Sequence, residues 1–422
     1  MKKIAIVLLL MMVFGSMVYA GGGKQSASGS GGGKTLTIAA SANWVKEIEH
    51  TLADKFTAET GIKVEFQIVP DDQYFNVIQS RLSMGEGPDI FQTHGGTTFE
   101  NLQPDKNFAD LSGESWVPRL EDWARQGGTI NGKVIALNLW AVDGWAVLYD
   151  PAKFQKAGVA EVPKTYAELT AACDKLLQAG YIPFYADGAA VWYQSLWLSI
   201  TLGTAGQQYS DYEARLNNNT LKFVDVPAYV TVLTQVKEMY DKGYFGPTFM
   251  TDTWENSTAE MASGKYAMTI AYTTYQNEVF AVDPACGADT WEMFPIPLAD
   301  NRAFNVNPGI FHVVNRNSPN IDAAKAYLNF RTRLDNVGAY YKGNDVLGNS
   351  SIKDYTEIKA TKAYESVSKN SVGTSFATNT IKFFSDVVIG QAVQEMFLGQ
   401  KTAKQVLEAL DEERQKQFAL GN

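Results

Sequence analysis

Apolar and polar positions follow two spacings in the first third of the chain, one typical of strands and one typical of helices. Lys63–Val69 alternates with a period of two, and Leu36–Ser41 is a short, largely apolar run, so both are predicted strands. Trp44–Glu59, between these two strands, has helical spacing, with Asn43 as the expected N-cap and Gly61 as the expected stop. This succession predicts an α/β unit with a parallel sheet.

The same reasoning predicts the remaining elements as far as the C-terminus. The predicted helices are 71–84, 116–126, 165–178, 191–202, 226–242, 258–262, 322–333, 354–368, 381–398 and 402–417. The predicted strands are 90–93, 133–139, 182–186, 266–272, 291–297 and 307–314, with a hairpin turn at 131–132. Residues 335–355, rich in Gly, Asn and Ser, are a predicted linker. A second α/β unit therefore occupies about 145–290.

The stretch Leu139–Asp150 holds two tryptophans, a glycine and, before its last residue, one acid, Asp143, inside an otherwise apolar run. Its alternation has a period of two and predicts a strand. An ionised carboxylate is costly to bury without partners, so Asp143 needs either hydrogen-bond donors or a wet cleft. Two interpretations stay open: a buried acid in a core strand, or a ligand-binding acid at a domain crossover with Trp140 and Trp145 as flat walls.

Composition and charge narrow the classes of partner. A chain of 422 residues is long enough for two domains, and its formal charge of −10 with no basic patch argues against nucleic acid and anionic membranes. Two cysteines and three scattered histidines have no zinc-site spacing, so no metal and no cofactor are expected. Whether Cys173 and Cys286 form a disulfide stays open.

The N-terminus has the pattern of an export signal. Lys2 and Lys3 precede an apolar run at 4–18, and Val18–Ala20 resembles a cleavage site. We expect a signal peptide at 1–20 and a Gly/Ser linker at 21–33, with an uncleaved anchor as the alternative. No cysteine follows the apolar run, so the expected location is the periplasm, without a lipoprotein anchor.

Four short motifs occur in a characteristic order between Thr35 and the C-terminus. They are Ala58–Val64, Gly85–Ile90, Asn131–Asp150 and Ala262–Met268. In this order they resemble the extracellular solute-binding proteins of ABC importers, in the sugar-binding group that includes maltose-binding protein. Each motif alone is weak, whereas four in order behind an export signal are specific.

The resemblance implies a fold, a function and partners. The fold would be a periplasmic-binding-protein-like α/β fold with two discontinuous lobes, 34–142 plus 292–338 and 143–291 plus 339–422. A hinge at Ala141–Gly144 would join the lobes and close them on a ligand in the cleft. The protein would bind a sugar, an oligosaccharide in view of its many aromatic residues, and deliver it to an importer permease in the inner membrane. A monomer without enzymatic activity is expected.

The resemblance and the chemistry of sugars together indicate a ligand site. A sugar presents hydroxyl groups and apolar faces, so its site needs flat aromatic rings and short, fixed polar side chains. Asp143 aligns with an acid that binds a sugar hydroxyl in the maltose binder, whereas the acid and arginine that the family has near His94 are missing. The identity of the sugar therefore stays open. The predicted ligand-binding residues are Asn43, Trp44, Asp71, His94, Trp140, Asp143, Trp192, Tyr193, Trp254, Tyr272, Tyr275 and Asn307.

Several of these residues have a structural alternative, and the function has rivals. Trp254 lies in a polar loop and is interpreted as a cleft wall, while His94 and Asp71 fit equally a capping role at an element's end. The same fold could bind a polyamine, a peptide or an anion. An exported carbohydrate-active enzyme would need two carboxylates about 5–10 Å apart, and only Asp143 has an expected position in the cleft.

Overall fold

The computed structural model describes most of the chain from Lys34 onward. The described residues are 34–140, 143–307, 309–344, 347–348, 350–358, 360–369, 371–375 and 377–420. The description excludes the side chains of Asp72, Asp143, Val306, Asn307, Val372, Gly373, Thr374, Ser375, Thr378 and Asn379. The predicted signal peptide and linker lie outside the described residues. Within the described ranges, no helix is long and apolar enough to cross a membrane.

Strands and helices alternate along the described chain. The strands are β1 Thr35–Ser41, β2 Lys63–Val69, β3 Ile90–His94, β4 Thr129–Ile130, β5 Lys133–Val134, β6 Leu137–Asn138, β7 Asp143–Tyr149, β8 Ile182–Tyr185, β9 Tyr266–Tyr272, β10 Glu292–Phe294, β11 Ala303–Asn307, β12 Ile310–Val314 and β13 Val372–Ser375. The α-helices are α1 Glu47–Thr60, α2 Asp71–Met84, α3 Thr97–Asn101, α4 Pro104–Asn107, α5 Asp122–Gly127, α6 Pro151–Lys156, α7 Tyr166–Gln178, α8 Val191–Ser199, α9 Tyr212–Asn217, α10 Pro227–Asp241, α11 Trp254–Ala262, α12 Tyr275–Val282, α13 Ile321–Arg331, α14 Leu334–Lys342, α15 Lys362–Lys369, α16 Ala377–Thr380, α17 Asp386–Phe397 and α18 Ala403–Ala419. Short 3₁₀ helices lie at Ala42–Trp44, Val117–Arg119, Leu202–Gln207, Phe223–Asp225, Phe249–Thr251, Pro284–Cys286, Ala288–Thr290 and Leu298–Asp300.

Two mixed sheets organise the molecule. The first has the order β2-β1-β3-β12-β6, with β1 parallel to β2 and β3, and β12 antiparallel to β3 and β6. The second has the order β13-β11-β7-β9-β8, with β7 antiparallel to β9, β11 and β10. β4 and β5 form the predicted hairpin. The two sheets confirm the predicted α/β fold.

Helices cover both faces of each sheet because successive residues of a buried strand point to opposite faces. On β1, Ile38 packs toward α1 with Leu52, whereas Ala39 packs toward α2 with Tyr74. On the second sheet, Val147 and Leu148 of β7 likewise belong to different cores. Each sheet therefore has two hydrophobic cores.

The chain passes between the sheets at two short connections. β6 ends at Asn138 and β7 begins at Asp143, while β11 ends at Asn307 and β12 begins at Ile310. Connections of this length span at most about 10–20 Å. Ile310 pairs with His94, at the end of β3, and Asn307 pairs with Asp143. The edge of the first sheet at His94 therefore adjoins the edge of the second sheet at Asp143.

Several local predictions are wrong. The predicted helix 116–126 is a 3₁₀ turn followed by α5, because Leu120 leaves the helix to form a bridge with Ile352. The predicted linker contains α14, which buries Val337 and its neighbours. The polar turn predicted before 307 is strand β11, which pairs with β7.

Sheet pairing divides the chain differently from the predicted lobe boundaries. β10 and β11 pair with β7, so residues 292–307 belong with the second sheet. Tyr341 and Ile352 lie in a core of the first sheet, although 339–422 was predicted for the second lobe. We therefore propose a first lobe of 34–140 plus 309–358 and a second lobe of 143–307 plus 360–420.

Both cysteines are free thiols. Cys173 lies buried on α7, and Cys286 is half-buried in a 3₁₀ turn. Burial raises the pKa of the Cys173 thiol well above its usual range. The disulfide that the sequence left open is therefore absent from the structure.

Candidate functional site

Four rings form a first aromatic cluster at the edge of the first sheet: Trp44, Tyr74, Phe75 and His94. The half-buried Trp44 ring meets the edges of Tyr74 and His94, with 5.1 Å between ring centroids in each case, and lies 6.0 Å from Phe75. Tyr74 is fully buried, and its hydroxyl donates to the carbonyls of the neighbouring strands β1 and β3. The buried tyrosine thus supports a tryptophan whose ring stays partly accessible.

A polar pair lies beside this cluster. Asp71 is the first residue of α2, where a carboxylate is favoured by the helix dipole. It accepts hydrogen bonds from the hydroxyl of Ser41, from the side-chain amide of Asn43 and, at 3.3 Å, from the backbone N–H of Asn43. The prediction that Asn43 caps the next helix is wrong, since α1 begins only at Glu47. The structure thus brings Asn43 and Asp71 together, and the prediction that they bind a ligand stays a prediction.

His94 links the first aromatic cluster to Gly309, which lies in the short connection between β11 and β12. Its ring stacks on Phe75 with 5.6 Å between centroids, and it hydrogen-bonds the backbone of Gly309. Removal from water lowers the pKa of His94 to about 4, while the bond to Gly309 opposes this shift. The imidazole is therefore neutral at neutral pH.

Six rings form a second aromatic cluster at the edge of the second sheet: Trp145, Trp192, Tyr193, Trp254, Tyr272 and Tyr275. Trp254 lies at its centre, with five neighbouring rings 5.1–6.2 Å away. The rings come from the starts of helices α8, α11 and α12 and from the paired residues Trp145 and Tyr272. Residues far apart in sequence thus converge where strands of this sheet end.

Burial divides this cluster into accessible and buried rings. Tyr193 and Tyr275 are buried, and their hydroxyls bond to the backbone of Ile270 at 3.1 Å and to the hydroxyl of Ser257 at 2.6 Å. Both rings therefore contribute to the cores of the second lobe, and their prediction as ligand-binding residues stays a prediction. Trp192, Trp254 and Tyr272 are half-buried, so each keeps an accessible surface.

Three predicted site residues lie at the two crossings, the short connections Asn138–Asp143 and Asn307–Ile310 by which the chain passes between the sheets. Trp140 is half-buried against a core of the first lobe, and its carbonyl oxygen abuts Gly309. The backbones of Asp143 and Asn307 pair with each other, while their side chains lie outside the described residues. The prediction that these two side chains bind ligand stays a prediction.

One acid beside the second cluster, Asp187, is not among the residues predicted from the sequence. Asp187 follows β8 and is fully buried, and its carboxylate accepts a hydrogen bond from the N–H of Ala190 at 2.8 Å. Burial raises the pKa of Asp187 to about 6. Its position directly after a predicted strand, at the sheet edge that carries Trp192 and Trp254, was the available signal.

The two aromatic clusters adjoin because the short connections between the sheets join the edge at His94, which carries the first cluster, to the edge at Asp143, which carries the second. Tyr272 packs against the cores of both lobes and so connects the second cluster to the first lobe. Aromatic faces with a short polar pair can bind a ligand that has both apolar faces and hydroxyl groups. Among the described residues, no group of three or more His, Cys, Asp or Glu side chains could hold a metal ion.

Comparison with known proteins identifies the family. Residues 35–334 match the family model described as bacterial extracellular solute-binding protein. The chain belongs to this family. An uncharacterized ABC transporter extracellular-binding protein of Pyrococcus horikoshii is 24% identical to this solute-binding protein over 374 residues, which cover 85% of this chain and 79% of the relative.

Solved structures share the fold of this solute-binding protein. A chitin oligosaccharide binding protein has a TM-score of 0.78 at 19% identity, covering 91% of this chain and 98% of its own. A sugar transporter of Bacillus licheniformis in complex with stachyose has a TM-score of 0.75 at 19% identity, covering 90% of this chain and 99% of its own. At these identities the likeness establishes the fold, with its two α/β lobes.

The lobes of this solute-binding protein also touch away from the crossings. Lys382, in the second lobe, forms an ion pair of 3.3 Å with Glu100 on α3 of the first lobe. Beside this pair, the hydroxyl of Thr97 donates to the carbonyl of Ile381 at 3.4 Å. Both charged side chains are largely exposed to water, which screens their attraction.

Reversing one charge of this contact is expected to have a small effect that the reciprocal change restores. Lys382→Glu should lower the free energy of unfolding by less than about 1 kcal/mol, and adding Glu100→Lys should return it toward wild type. Urea denaturation at low and high salt measures both values. If the double variant remains as unstable as Lys382→Glu, the loss of stability does not come from the ion pair between Lys382 and Glu100.

Proposed function

We propose that this protein is the substrate-binding component of an ABC importer, which captures an oligosaccharide outside the inner membrane and delivers it to the permease. The observation that carries the proposal is the second aromatic cluster, whose half-buried rings Trp192, Trp254 and Tyr272 stand at an edge adjoining the first lobe. Asn43 and Asp71 offer polar groups at the corresponding edge of the first sheet. This combination matches the faces and hydroxyl groups of a sugar.

The spread of the rings favours a ligand of more than one sugar unit. Trp192 and Trp254 lie 5.4 Å apart, and Trp254 and Tyr272 lie 6.2 Å apart, so together they form an extended apolar surface. Two proteins of the same fold support this choice, because one is named for chitin oligosaccharides and the other was solved with stachyose.

We propose binding without turnover. A glycosidase needs two carboxylates on either side of the scissile bond. Beside the second cluster, the carboxylate of Asp187 accepts the backbone N–H of Ala190 through one oxygen, and that of Glu278 accepts the hydroxyl of Tyr272. Each acid thus has one oxygen engaged in holding a group of the protein itself.

The location and the partner follow from the family and the predicted signal. An exported protein with two lobes can close on its ligand, and the closed state would be the form that the permease recognises. We propose a periplasmic monomer, and the export signal predicted at residues 1–20 supports the location.

A ligand screen tests the proposal. The chain from Gly21 onward would be melted with stachyose, raffinose and chitin oligosaccharides, and separately with polyamines, short peptides and anions. A ligand present at 100 times its dissociation constant adds about 2.7 kcal/mol to stability, which raises the melting temperature. We expect a shift with one glycan series, and an intact glycan by chromatography afterwards. A shift only with non-sugars, or a cleaved glycan, would contradict the proposal.

Truncating Trp254 is expected to weaken binding of the glycan that gives the shift. Trp254→Ala removes the ring at the centre of the second cluster, and we expect a roughly 10- to 100-fold higher dissociation constant by calorimetry. Trp123→Ala is the matched control, since Trp123 is also half-buried but lies on α5 outside both clusters. Equal affinities in the two variants would remove Trp254 from the site.

A further inference from the structure

Tyr272 is the ring of the second aromatic cluster that reaches the first lobe. It is the last residue of β9, and its half-buried ring packs against cores of both lobes. The centroid of its ring lies 5.3 Å from that of Trp145 and 6.2 Å from that of Trp254. The orientation of this ring therefore decides which surface the second lobe presents toward the first lobe at the proposed ligand site.

Glu278 holds the far end of the Tyr272 side chain. The hydroxyl of Tyr272 donates a hydrogen bond to the carboxylate of Glu278, the fourth residue of α12. A hydrogen bond to a carboxylate is stronger than one between neutral groups, and an acid in the first turn of a helix is favoured by the helix dipole. The bond thus joins the end of β9 to the first turn of the next helix.

The start of α12 is itself fixed from several sides. The hydroxyl of Tyr275 bonds to that of Ser257 at 2.6 Å. The side chain of Gln276 donates to the carbonyl of Asp289 at 3.0 Å and accepts the N–H of Ala363 at 2.9 Å. Because these partners come from other segments of the second lobe, the helix turn that carries the acid is a rigid base for the bonded ring.

We propose that Glu278 is a positioning residue for the ligand site, which holds the Tyr272 ring in the orientation in which its face stacks on a sugar unit. A side chain that is fixed before binding does not lose its rotational freedom when the ligand arrives, so the affinity is higher than with a mobile ring. This inference rests on the proposed function for its effect on binding, whereas its effect on ring orientation stands without any ligand.

Two substitutions of Glu278 test the proposal by calorimetry, with whichever of stachyose, raffinose and chitin oligosaccharides raises the melting temperature. Glu278→Leu removes the acceptor but keeps a side chain of similar bulk, and we expect a roughly tenfold higher dissociation constant from the loss of one charge-assisted hydrogen bond. Glu278→Gln keeps an acceptor oxygen without the charge, so its dissociation constant should rise only about two- to threefold.

The Tyr272→Phe background separates positioning from a general structural role. The bond between the two side chains is absent from this protein, so adding Glu278→Leu should change its affinity by less than about twofold. If Glu278 instead supported the site through the stability of α12, Glu278→Leu would weaken binding equally in both backgrounds.

The ligand-free protein gives a second readout, which does not depend on the proposed function. The ring of Tyr272 contacts two tryptophan rings, so near-ultraviolet circular dichroism responds to its orientation. We expect Glu278→Leu to change this signal in the wild-type background and to leave it unchanged in the Tyr272→Phe background.

The matched control is the same type of bond elsewhere in the second lobe. The hydroxyl of Tyr149 donates to the carboxylate of Glu292 at 3.0 Å. Tyr149 lies at the opposite end of β7 from Asp143, roughly 20 Å from the sheet edge that carries the second aromatic cluster. Glu292→Leu removes this acceptor and should leave the affinity for the glycan unchanged.

The outcomes are distinct. A loss of affinity in Glu278→Leu that Glu278→Gln largely restores, and that disappears in the Tyr272→Phe background, supports the positioning role. Equal losses in both backgrounds, no loss in Glu278→Leu, no recovery in Glu278→Gln, or the same loss in Glu292→Leu overturns it.

A failure of the proposed function is recognised separately. If no glycan binds the wild-type protein, the proposed function fails and circular dichroism decides the inference about the ring. A change of the signal confined to the wild-type background then supports positioning by Glu278, whereas a change in both backgrounds or in neither overturns it.

Discussion

Replacing Glu49 with glutamine is expected to lower the free energy of unfolding by about 3–5 kcal/mol. Glu49 on α1 and Arg331 on α13 form a two-pronged ion pair, with 3.1 Å between one pair of atoms and a still shorter second contact. Their side chains are 0% and 1% exposed, so the variant would leave a guanidinium buried without its partner. Urea denaturation measures the change.

A double variant separates the pair from the lost charge. Removing a buried pair completely often costs little, so Glu49→Leu with Arg331→Met should recover much of the stability lost in Glu49→Gln. Glu59→Gln is the surface control, because Glu59 pairs with Arg333 in water and should matter far less. A double variant that is less stable than Glu49→Gln would show that packing, and not charge, holds these helices.

Replacing Gly309 with alanine is expected to cost about 2–4 kcal/mol, by combining backbone strain with overlap. Gly309 has φ of 86°, in the left-handed region. An added Cβ would lie 2.3 Å from the carbonyl oxygen of Trp140, a backbone atom that cannot rotate away. Thermal unfolding measures the loss, and small-angle scattering should show a changed radius of gyration because the crossings between lobes must shift.

Gly61→Ala provides the matched control for this prediction. Gly61 ends α1 with φ of 72°, yet a Cβ there would meet nothing within 4 Å. Gly61→Ala therefore introduces the backbone strain of a positive φ without a steric overlap of the added Cβ. We expect it to lower the free energy of unfolding by about 1 kcal/mol and to leave the radius of gyration unchanged. Equal losses at both glycines would mean that Gly309 is required only for its backbone angle.

Local patterns explain which elements could be predicted from sequence. The alternation in β2, the largely apolar run in β9 and the helical spacing of α2 and α7 are properties of neighbouring residues, and the structure confirms all four within two residues of the predicted bounds. Gly61, the predicted stop of α1, has a positive φ of 72°. The four ordered motifs also pointed to the family that the comparison identifies.

The missed features depend on contacts between distant residues. β11 is a strand because it pairs with β7, more than a hundred residues earlier, and its own sequence is too polar to indicate this. Tyr193 and Tyr275 resemble the accessible aromatic residues around them, and only packing against Ile270 and Ser257 makes them core residues. The side chains around Asp187 in the sequence do not indicate its burial, because the group that bonds its carboxylate is the backbone N–H of Ala190.

The position of β12 has a consequence for synthesis of the chain. β12 lies between β3 and β6 in the first sheet, yet it begins far along the chain at Ile310. At about 5–20 residues per second, a nascent chain would need roughly 10–40 s after β3 before β12 is made. During that interval the first lobe cannot complete its sheet, so the edge of β3 that β12 covers stays open to pairing with other chains until Ile310 and its neighbours have been made.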